Sequence, residues 1–530
     1  MGRRFGRWIG GKEAAMDATS LRKRVNRIKT RLREKQSPAR NSQEAAPIAD
    51  AMRAYHEREM LSFAIPAHSG GRGPAPEFVQ WAGTDAARFD LPMSHGVDTR
   101  DRAWKVQATA QELFAEALGA RQTLFSTNGS TMSAHVAVMT VAGPGETLVM
   151  ARNGHKSAFE GLVLSGARPV YLEPYYDHEL ALALGPLPGD LRTALEANPD
   201  ARAAMVFTPS YYGTSADVRA LASICHERDL PLVTDDAWGL DYDLVGHSGL
   251  PQGGLSCGAD LTIGSVHKTL TGLGQTSVLS VGSERIDPAR LKLFFELEES
   301  TSTSSLLLSA IDGARRQFVR EGQQLLDRSL HSARLLRERL AAEVPELRVV
   351  STEQLAERPG VVGVDPCHVL IETAPLGLTG YQADDWLRDE RQVDVELSDH
   401  RRILPLITFA HGEAEIDRFV RALRDLVDAH AGSRNGGWIP EVPTGAELRT
   451  EQAMLPREAF FAASEEVKPK AAVGRVSAEL VTPYPPGIPA VAPGEVITDT
   501  IVDYLELFVA AGGFVEGASD QALDRFRVVA

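Results

Sequence analysis

Cysteine is scarce in this chain. Three thiols, Cys225, Cys257 and Cys367, are spread over 530 residues, odd in number and without metal-ligand spacing. That excludes a disulfide framework and a cysteine-built metal centre, and it predicts a reducing, cytoplasmic setting. No apolar run is long enough to span a bilayer, and the N-terminus Met1-Gly2-Arg3-Arg4-Phe5-Gly6-Arg7 lacks the apolar stretch of a signal peptide. Neither membrane nor metal is expected. The net charge of −15 argues against nucleic acid as the main partner and mildly favours a cationic small molecule.

The charge is unevenly placed. Residues 1–40 hold thirteen Lys/Arg against three acids, which leaves 43 basic against 68 acidic residues beyond them, a net −25. Residues 1–47 therefore read as a basic arm and linker lying on an acidic body. From Gln122 the chain alternates short apolar strands with helical patterns: Gln122–Ser126, Glu146–Ala151, Arg168–Leu172, Arg202–Thr208, Leu230–Asp235, Asp260–Gly264 and Thr276–Val281. This rhythm predicts an α/β large domain over 48–340 with a mainly parallel, doubly wound sheet. A long helix is expected from Ser304 to Leu340, broken near Gly322. A smaller α+β domain follows over 341–431, then a linker at Gly432–Gly437 and a C-terminal segment over 432–530. There are no internal repeats.

The chemistry sits at predicted strand ends, where ligands bind in such sheets. Ser126-Thr127-Asn128-Gly129-Ser130-Thr131 follows a strand and opens a helix, which suits a phosphate. Asn153-Gly154-His155-Lys156-Ser157 lies at the next strand end, where a histidine can stack flat on a ring. Asp235-Asp236-Ala237-Trp238-Gly239 ends another strand. Thirty-three residues after Asp235 comes Lys268, in Ser265-Val266-His267-Lys268. A lysine amine forms a Schiff base with the aldehyde of pyridoxal phosphate (PLP), and a carboxylate keeps the pyridine nitrogen protonated. Order and spacing together point to PLP, with Lys268 preferred over Lys156 and Asp235 over Asp236. Ser265 and His267 are close enough in sequence to reach the same phosphate. Tyr211 and Tyr212 are expected in the pocket wall; Trp238 suits either the cofactor's side or the core.

The ordered set Ser-Thr-Asn-Gly-Ser-Thr, Asn-Gly-His-Lys-Ser, Asp-Asp-Ala-Trp-Gly and Ser-Val-His-Lys-Thr resembles the bacterial ornithine/lysine/arginine decarboxylases, fold type I PLP enzymes built like aspartate aminotransferase. Phe63–Gly71, Ser300–Ser305, Val395–Asp399, Pro483–Pro489 and Pro493-Gly494-Glu495 resemble further segments of that family, so the likeness covers roughly residues 50–520. The resemblance implies that Lys268 holds the cofactor, Asp235 pairs with its ring nitrogen and His155 stacks on the ring. Ser130, Thr131, Ser265 and His267 would bind phosphate, and His267 is a candidate proton donor to the substrate carbon. Trp238 would lie beside the cofactor. Thr301 or Ser302 would reach a partner's site across an obligate homodimer. The implied reaction removes CO₂ from lysine, arginine or ornithine, in polyamine biosynthesis. Glu495, then Asp399, are the candidates to read a distal cation; otherwise Glu495 caps the helix starting near Thr498. Three departures stand out. A short basic arm replaces the wing domain of the large inducible members, so a decamer is not expected. Thr303 replaces a common proline. Arg401 and Arg402 stand where the family is usually uncharged; an arginine there could meet a carboxylate, and the alternative reading is a PLP-dependent aminotransferase or other PLP lyase acting on a different amino acid.

Overall fold

The computed structural model describes residues 42–530 apart from 92, 94–96, 99–105, 432–441 and 486. The basic arm to residue 41 and the linker at Gly432–Gly437 lie outside the described residues. The compact unit Ala46–Ala530 is built on a seven-stranded sheet. Its strands are β1 (Gln122–Ser126), β2 (Thr147–Ala151), β3 (Arg168–Leu172), β4 (Ala201–Phe207), β5 (Leu232–Asp235), β6 (Leu261–Ser265) and β7 (Ser277–Val281), in spatial order β1-β7-β6-β5-β4-β2-β3. All neighbours pair parallel except β7, which runs antiparallel to both β1 and β6. The expected mainly parallel sheet is present. Every residue of β2, β5, β6 and β7 is buried, as continuous apolar strands covered on both faces should be. In β1, Phe125 packs into one core cluster with Phe318, and Leu124 packs against the other. One strand thus feeds two cores by simple alternation.

The helices that matter to the site are α1 (Gly129–Val141), α2 (Lys156–Ser165), α3 (Val218–His226) and α4 (Leu240–Val245), followed by α5 (Pro288–Glu298) and α6 (Ser305–Glu343). Helix α6 runs 39 residues without the break expected at Gly322. Its buried positions Leu308, Ile311, Arg315, Phe318, Gly322, Leu325 and Ser329 step by three and four with no phase jump. Gly322 belongs to that stripe: a β-carbon there would lie 2.7 Å from Val245 Cγ2, so the glycine lets α4 approach. The boundary expected at 340 falls inside this helix, and Ala333, Leu336 and Leu340 already pack into the next core.

That core covers a four-stranded antiparallel sheet of β8 (Arg348–Val349), β9 (Ile371–Glu372), β10 (Leu397–Ser398) and β11 (Arg402–Leu404), with α7 (Gly380–Arg391) and α8 (Glu413–His430). A further cluster holds α9 (Asp499–Ala510) and the pair β12 (Thr482–Tyr484) and β13 (Phe514–Glu516). Among the described residues no helix is long and apolar enough to cross a membrane.

Gly380 opens α7 where a β-carbon would sit 1.9 Å from the carbonyl oxygen of Arg402 and 2.4 Å from that of Asp399. Backbone cannot swing aside as a side chain can. Gly380→Ala should therefore lower unfolding stability by about 2–3 kcal/mol, read as a fall in the denaturation midpoint at unchanged slope.

Candidate active site

The sheet register assembles the phosphate end of the site. Ser126 pairs with Ser277, and Ser277 pairs with Ser265, so three serines form a row at the carboxyl ends of β1 and β6. Ser130, in the first turn of α1, lies over that row, with its Oγ 2.6 Å from Ser265 Oγ and 3.1 Å from Ser277 Oγ. Hydroxyls and the positive end of a thirteen-residue helix converge, a suitable cradle for a phosphate. Thr131, the other residue expected there, is exposed. Thr301 and Ser302 are exposed as well. Glu299 accepts from both Thr127 N and Thr127 Oγ1 at 3.1 Å, so the Ser/Thr stretch is anchored to its own phosphate loop.

Lys268 follows β6 and is largely buried. Its Nζ stands 4.3 Å from the centroid of the Trp238 ring. Burial lowers the Lys268 amine from its usual range, against the opposing pull of Asp235 and Glu396. Burial likewise raises the Asp235 carboxyl, opposed by Lys268 and by the amide of Ala237. Asp235 Oδ1 accepts that amide at 3.1 Å. Asp236 turns the other way, as alternation predicts: its Oδ2 accepts from Gly254 N at 3.0 Å, and burial, with Asp243 beside it, pushes it well up. Trp238 Nε1 is buried without a hydrogen-bond partner among the described residues.

His155 caps α2. Its Nδ1 receives Ser157 N at 3.3 Å, and an amide can only donate, so Nδ1 is unprotonated. Burial, then the charge of Lys268, push its pKa down to about 4. A neutral imidazole suits the face of a protonated pyridine. His267 Nδ1 lies 3.0 Å from the carbonyl of Thr276, which can only accept; Nδ1 therefore carries the proton and Nε2 is left to exchange one. Burial lowers the His267 pKa. The C-terminal segment closes over this corner. Gly487, at φ +91, has its missing β-carbon 3.2 Å from His155 Cδ2, and its carbonyl accepts from Lys156 N. Lys156 itself pairs with Glu516 at 2.7 Å.

The two carboxylates expected to read a distal cation are committed elsewhere. Glu495 is 2% exposed and accepts from Arg152 Nη2 at 3.1 Å and Ala492 N at 2.7 Å. Nor does it cap the last helix, which Thr498 does. Asp399 accepts from the amides of Arg401 and Arg402 and lies 3.2 Å from Arg402 Nε. Arg402 is wholly buried and also bonds the Leu180 carbonyl, while Arg401 reaches the Glu179 carbonyl and lies 3.8 Å from Glu372. Each charge already has a buried partner, and separating such a pair is costly. Besides Asp235, the carboxylate whose field reaches Lys268 is Glu396, just before β10. Sequence reasoning quoted its pentapeptide but passed over it, because only packing of the smaller sheet brings it near. Burial, then the charge of Asp235, holds the Tyr211 phenol well above its usual range; Tyr212, the other tyrosine expected in the wall, donates its hydroxyl to Asp399 at 3.3 Å.

A mainly parallel sheet with one antiparallel strand and a buried lysine after β6 is the scaffold of the fold type I PLP-dependent enzymes. The chain aligns in fold with the constitutive lysine decarboxylase of Escherichia coli at a TM-score of 0.73 and 21% identity, over 97% of this chain and 85% of that one. The profile of the Orn/Lys/Arg decarboxylase major domain matches residues 46–415, and that of its C-terminal domain residues 445–515. An arginine decarboxylase of Halalkalibacterium halodurans is 35% identical over 492 residues, 92% of this chain and 98% of that protein. One from Bacillus subtilis is 34% identical over 493 residues, with the same coverage. The chain belongs to the Orn/Lys/Arg decarboxylase family.

Asp235→Asn should weaken PLP binding and shift the bound absorbance band, whereas Asp236→Asn should do much less. Borohydride reduction followed by peptide mass spectrometry should find the pyridoxyl group on Lys268. Equal effects of the two aspartate variants, or the label on Lys156, would contradict the assignment.

Proposed function

We propose that this protein uses PLP to decarboxylate a basic amino acid, arginine first. The observation that carries the reading is a buried lysine amine over Trp238 that feels Asp235 and Glu396 together. The extent of the arginine decarboxylase relatives supports arginine over lysine or ornithine.

The residues fit the cofactor. Ser130, Ser265 and Ser277 would hold its phosphate, Asp235 its ring nitrogen, His155 its face and Lys268 its aldehyde. When bound, PLP supplies an electron sink conjugated to the substrate nitrogen. Burial raises the fraction of Lys268 that is uncharged, hence nucleophilic, at neutral pH. His267 exchanges a proton with the substrate carbon through Nε2. Glu396 meets the distal cation, replacing Glu495 and Asp399 in that role. With Arg401 and Arg402 both engaged, no observation favours the aminotransferase reading.

We further propose a homodimer. Phe63 is 95% exposed, Ile65 77%, Trp81 76% and Leu61 65%, a surface that burial against a second copy would satisfy. Thr301 and Ser302, exposed beside the anchored Glu299, remain the candidates to cross that interface. Separate core clusters support the division into a large domain, a small α+β domain to 431 and a C-terminal segment, with the first boundary inside helix α6 rather than at 340. Three free thiols suit a reducing cytoplasm.

The test incubates PLP-loaded protein with L-arginine, L-lysine and L-ornithine and assays CO₂, amine and keto acid. Arginine should yield CO₂ and the amine in equal amounts; keto acid without CO₂ would overturn the reading. A charge-assisted contact is worth roughly 1.5–3 kcal/mol, so Glu396→Gln should lower kcat/KM for arginine roughly tenfold to a hundredfold. Citrulline, the uncharged counterpart, should be handled equally by both proteins.

A further inference from the structure

The smaller domain carries a concentration of arginine that the proposed chemistry leaves unused. On α8, Arg418, Arg421 and Arg424 follow one another at intervals of three, and α7 ends at Arg391. With Ala422 and Asp425, these four arginines line a surface hollow of about 240 Å³. None of them belongs to the cofactor site.

Their charges are unevenly matched. Arg391 donates from Nε to Asp425 Oδ2 at 2.8 Å, and its guanidinium lies 4.8 Å from the centroid of the Trp386 ring. Arg424 pairs with Glu346 through both terminal nitrogens, at 2.8 and 3.1 Å, and lies 3.1 Å from Asp428. Arg418 meets no carboxylate among the described residues. Its Nη2 alone donates, at 3.1 and 2.9 Å, to the carbonyls of Arg391 and Gln392 that end α7. Arg421 is exposed and has no partner among the described residues.

Like charges three residues apart on a helix repel. An ionic network serving the fold alone would meet each guanidinium with a carboxylate, as Arg391 and Arg424 are met. Instead Arg418 and Arg421 leave two uncompensated positive charges on one hollow, and its one lining carboxylate, Asp425, is already engaged by Arg391. A guanidinium offers paired N–H donors in a plane, which match two oxygens of a phosphoryl group. Size then selects among anions. At about 240 Å³ the hollow is smaller than the roughly 300–1,000 Å³ of pockets for drug-sized ligands. The net charge of −15 opposes a long polyanion.

We propose that the groove between the end of α7 and the middle of α8 binds a small phosphorylated anion of the diphosphate type, taken by Arg418 and Arg421 and flanked by Arg391 and Arg424. The site is independent of the reading of Lys268 and Glu396.

The probe is inorganic pyrophosphate, titrated calorimetrically without magnesium into the PLP-loaded full chain at low ionic strength. Parent, Arg421→Gln, Arg418→Gln and Arg334→Gln are compared. Arg334, an exposed residue of α6 beside Glu338, lies outside the hollow, so its variant controls for net charge alone. One pyrophosphate should bind per chain. Arg421→Gln and Arg418→Gln should each weaken it about tenfold, and Arg334→Gln should match the parent. Hydrogen exchange should show protection in the peptides carrying Arg391 and Arg418–Asp425. Inorganic phosphate should bind more weakly than pyrophosphate, and malonate, a dicarboxylate, more weakly than phosphate. Should Arg418→Gln fail to fold for want of its clamp on α7, Arg421→Gln, which loses no contact, carries the test. An absence of saturable binding, or equal binding by Arg421→Gln and the parent, overturns the proposal. Protection confined to the peptide carrying Ser130 overturns it too, since the anion then sits in the cofactor's phosphate cradle. Malonate bound as tightly as phosphate overturns the phosphoryl assignment.

Discussion

The rest of the site depends on keeping a lysine amine out of water beside a buried carboxylate. Desolvation disfavours the charged form of both Lys268 and Asp235, and each relieves the other. Neither group gains a saturating set of hydrogen bonds, unlike Glu495 or Asp399, whose carboxylates are filled by Arg152 and Arg402. The difference between these two kinds of buried acid separates structure from chemistry here. A satisfied ion pair holds segments together; an incompletely satisfied one is available to a ligand.

The fold supplies that dryness from three directions. The central sheet brings Asp235 and Lys268 from neighbouring parallel strands, β5 and β6, so they emerge at the same edge. The smaller sheet brings His368, in the stretch before β9, against Trp238, with ring centroids 5.7 Å apart. The C-terminal segment seats Gly487 against His155 and ties Lys156 to Glu516. Helix α6 runs from the large core into the smaller one without interruption, which couples the two bodies on which the site's halves are built.

Much of this was legible in the sequence where strand and helix periods are strong. The bounds of β1 and β3 match expectation because apolar runs there end at turns. The Lys268, Asp235, His155 and Ser130 elements could be ordered because each follows its own strand. What periodicity could not supply was the partner of each charge. Glu495 looked available because its partner, Arg152, lies 343 positions away in the chain; Asp399 looked available because only the turn between β10 and β11 folds Arg402, three residues on, back onto it. Glu396 and His368 went unnoticed for the converse reason, since a lone acid and a lone histidine flanking short strands look like ordinary surface or core. Gly322 looked like a helix breaker because its packing partner, Val245, lies on another helix.

The central claim is that Lys268 is a desolvated amine before any cofactor arrives. Competitive labelling of the cofactor-free protein with a small acylating reagent, followed by peptide mass spectrometry at a series of pH values, measures its titration directly. The account predicts that Lys268 titrates below the surface lysines, with its midpoint shifted further down in Glu396→Gln, where a stabilising anion is lost. A Lys268 that titrates with the surface lysines, or that is indifferent to Glu396, would contradict it.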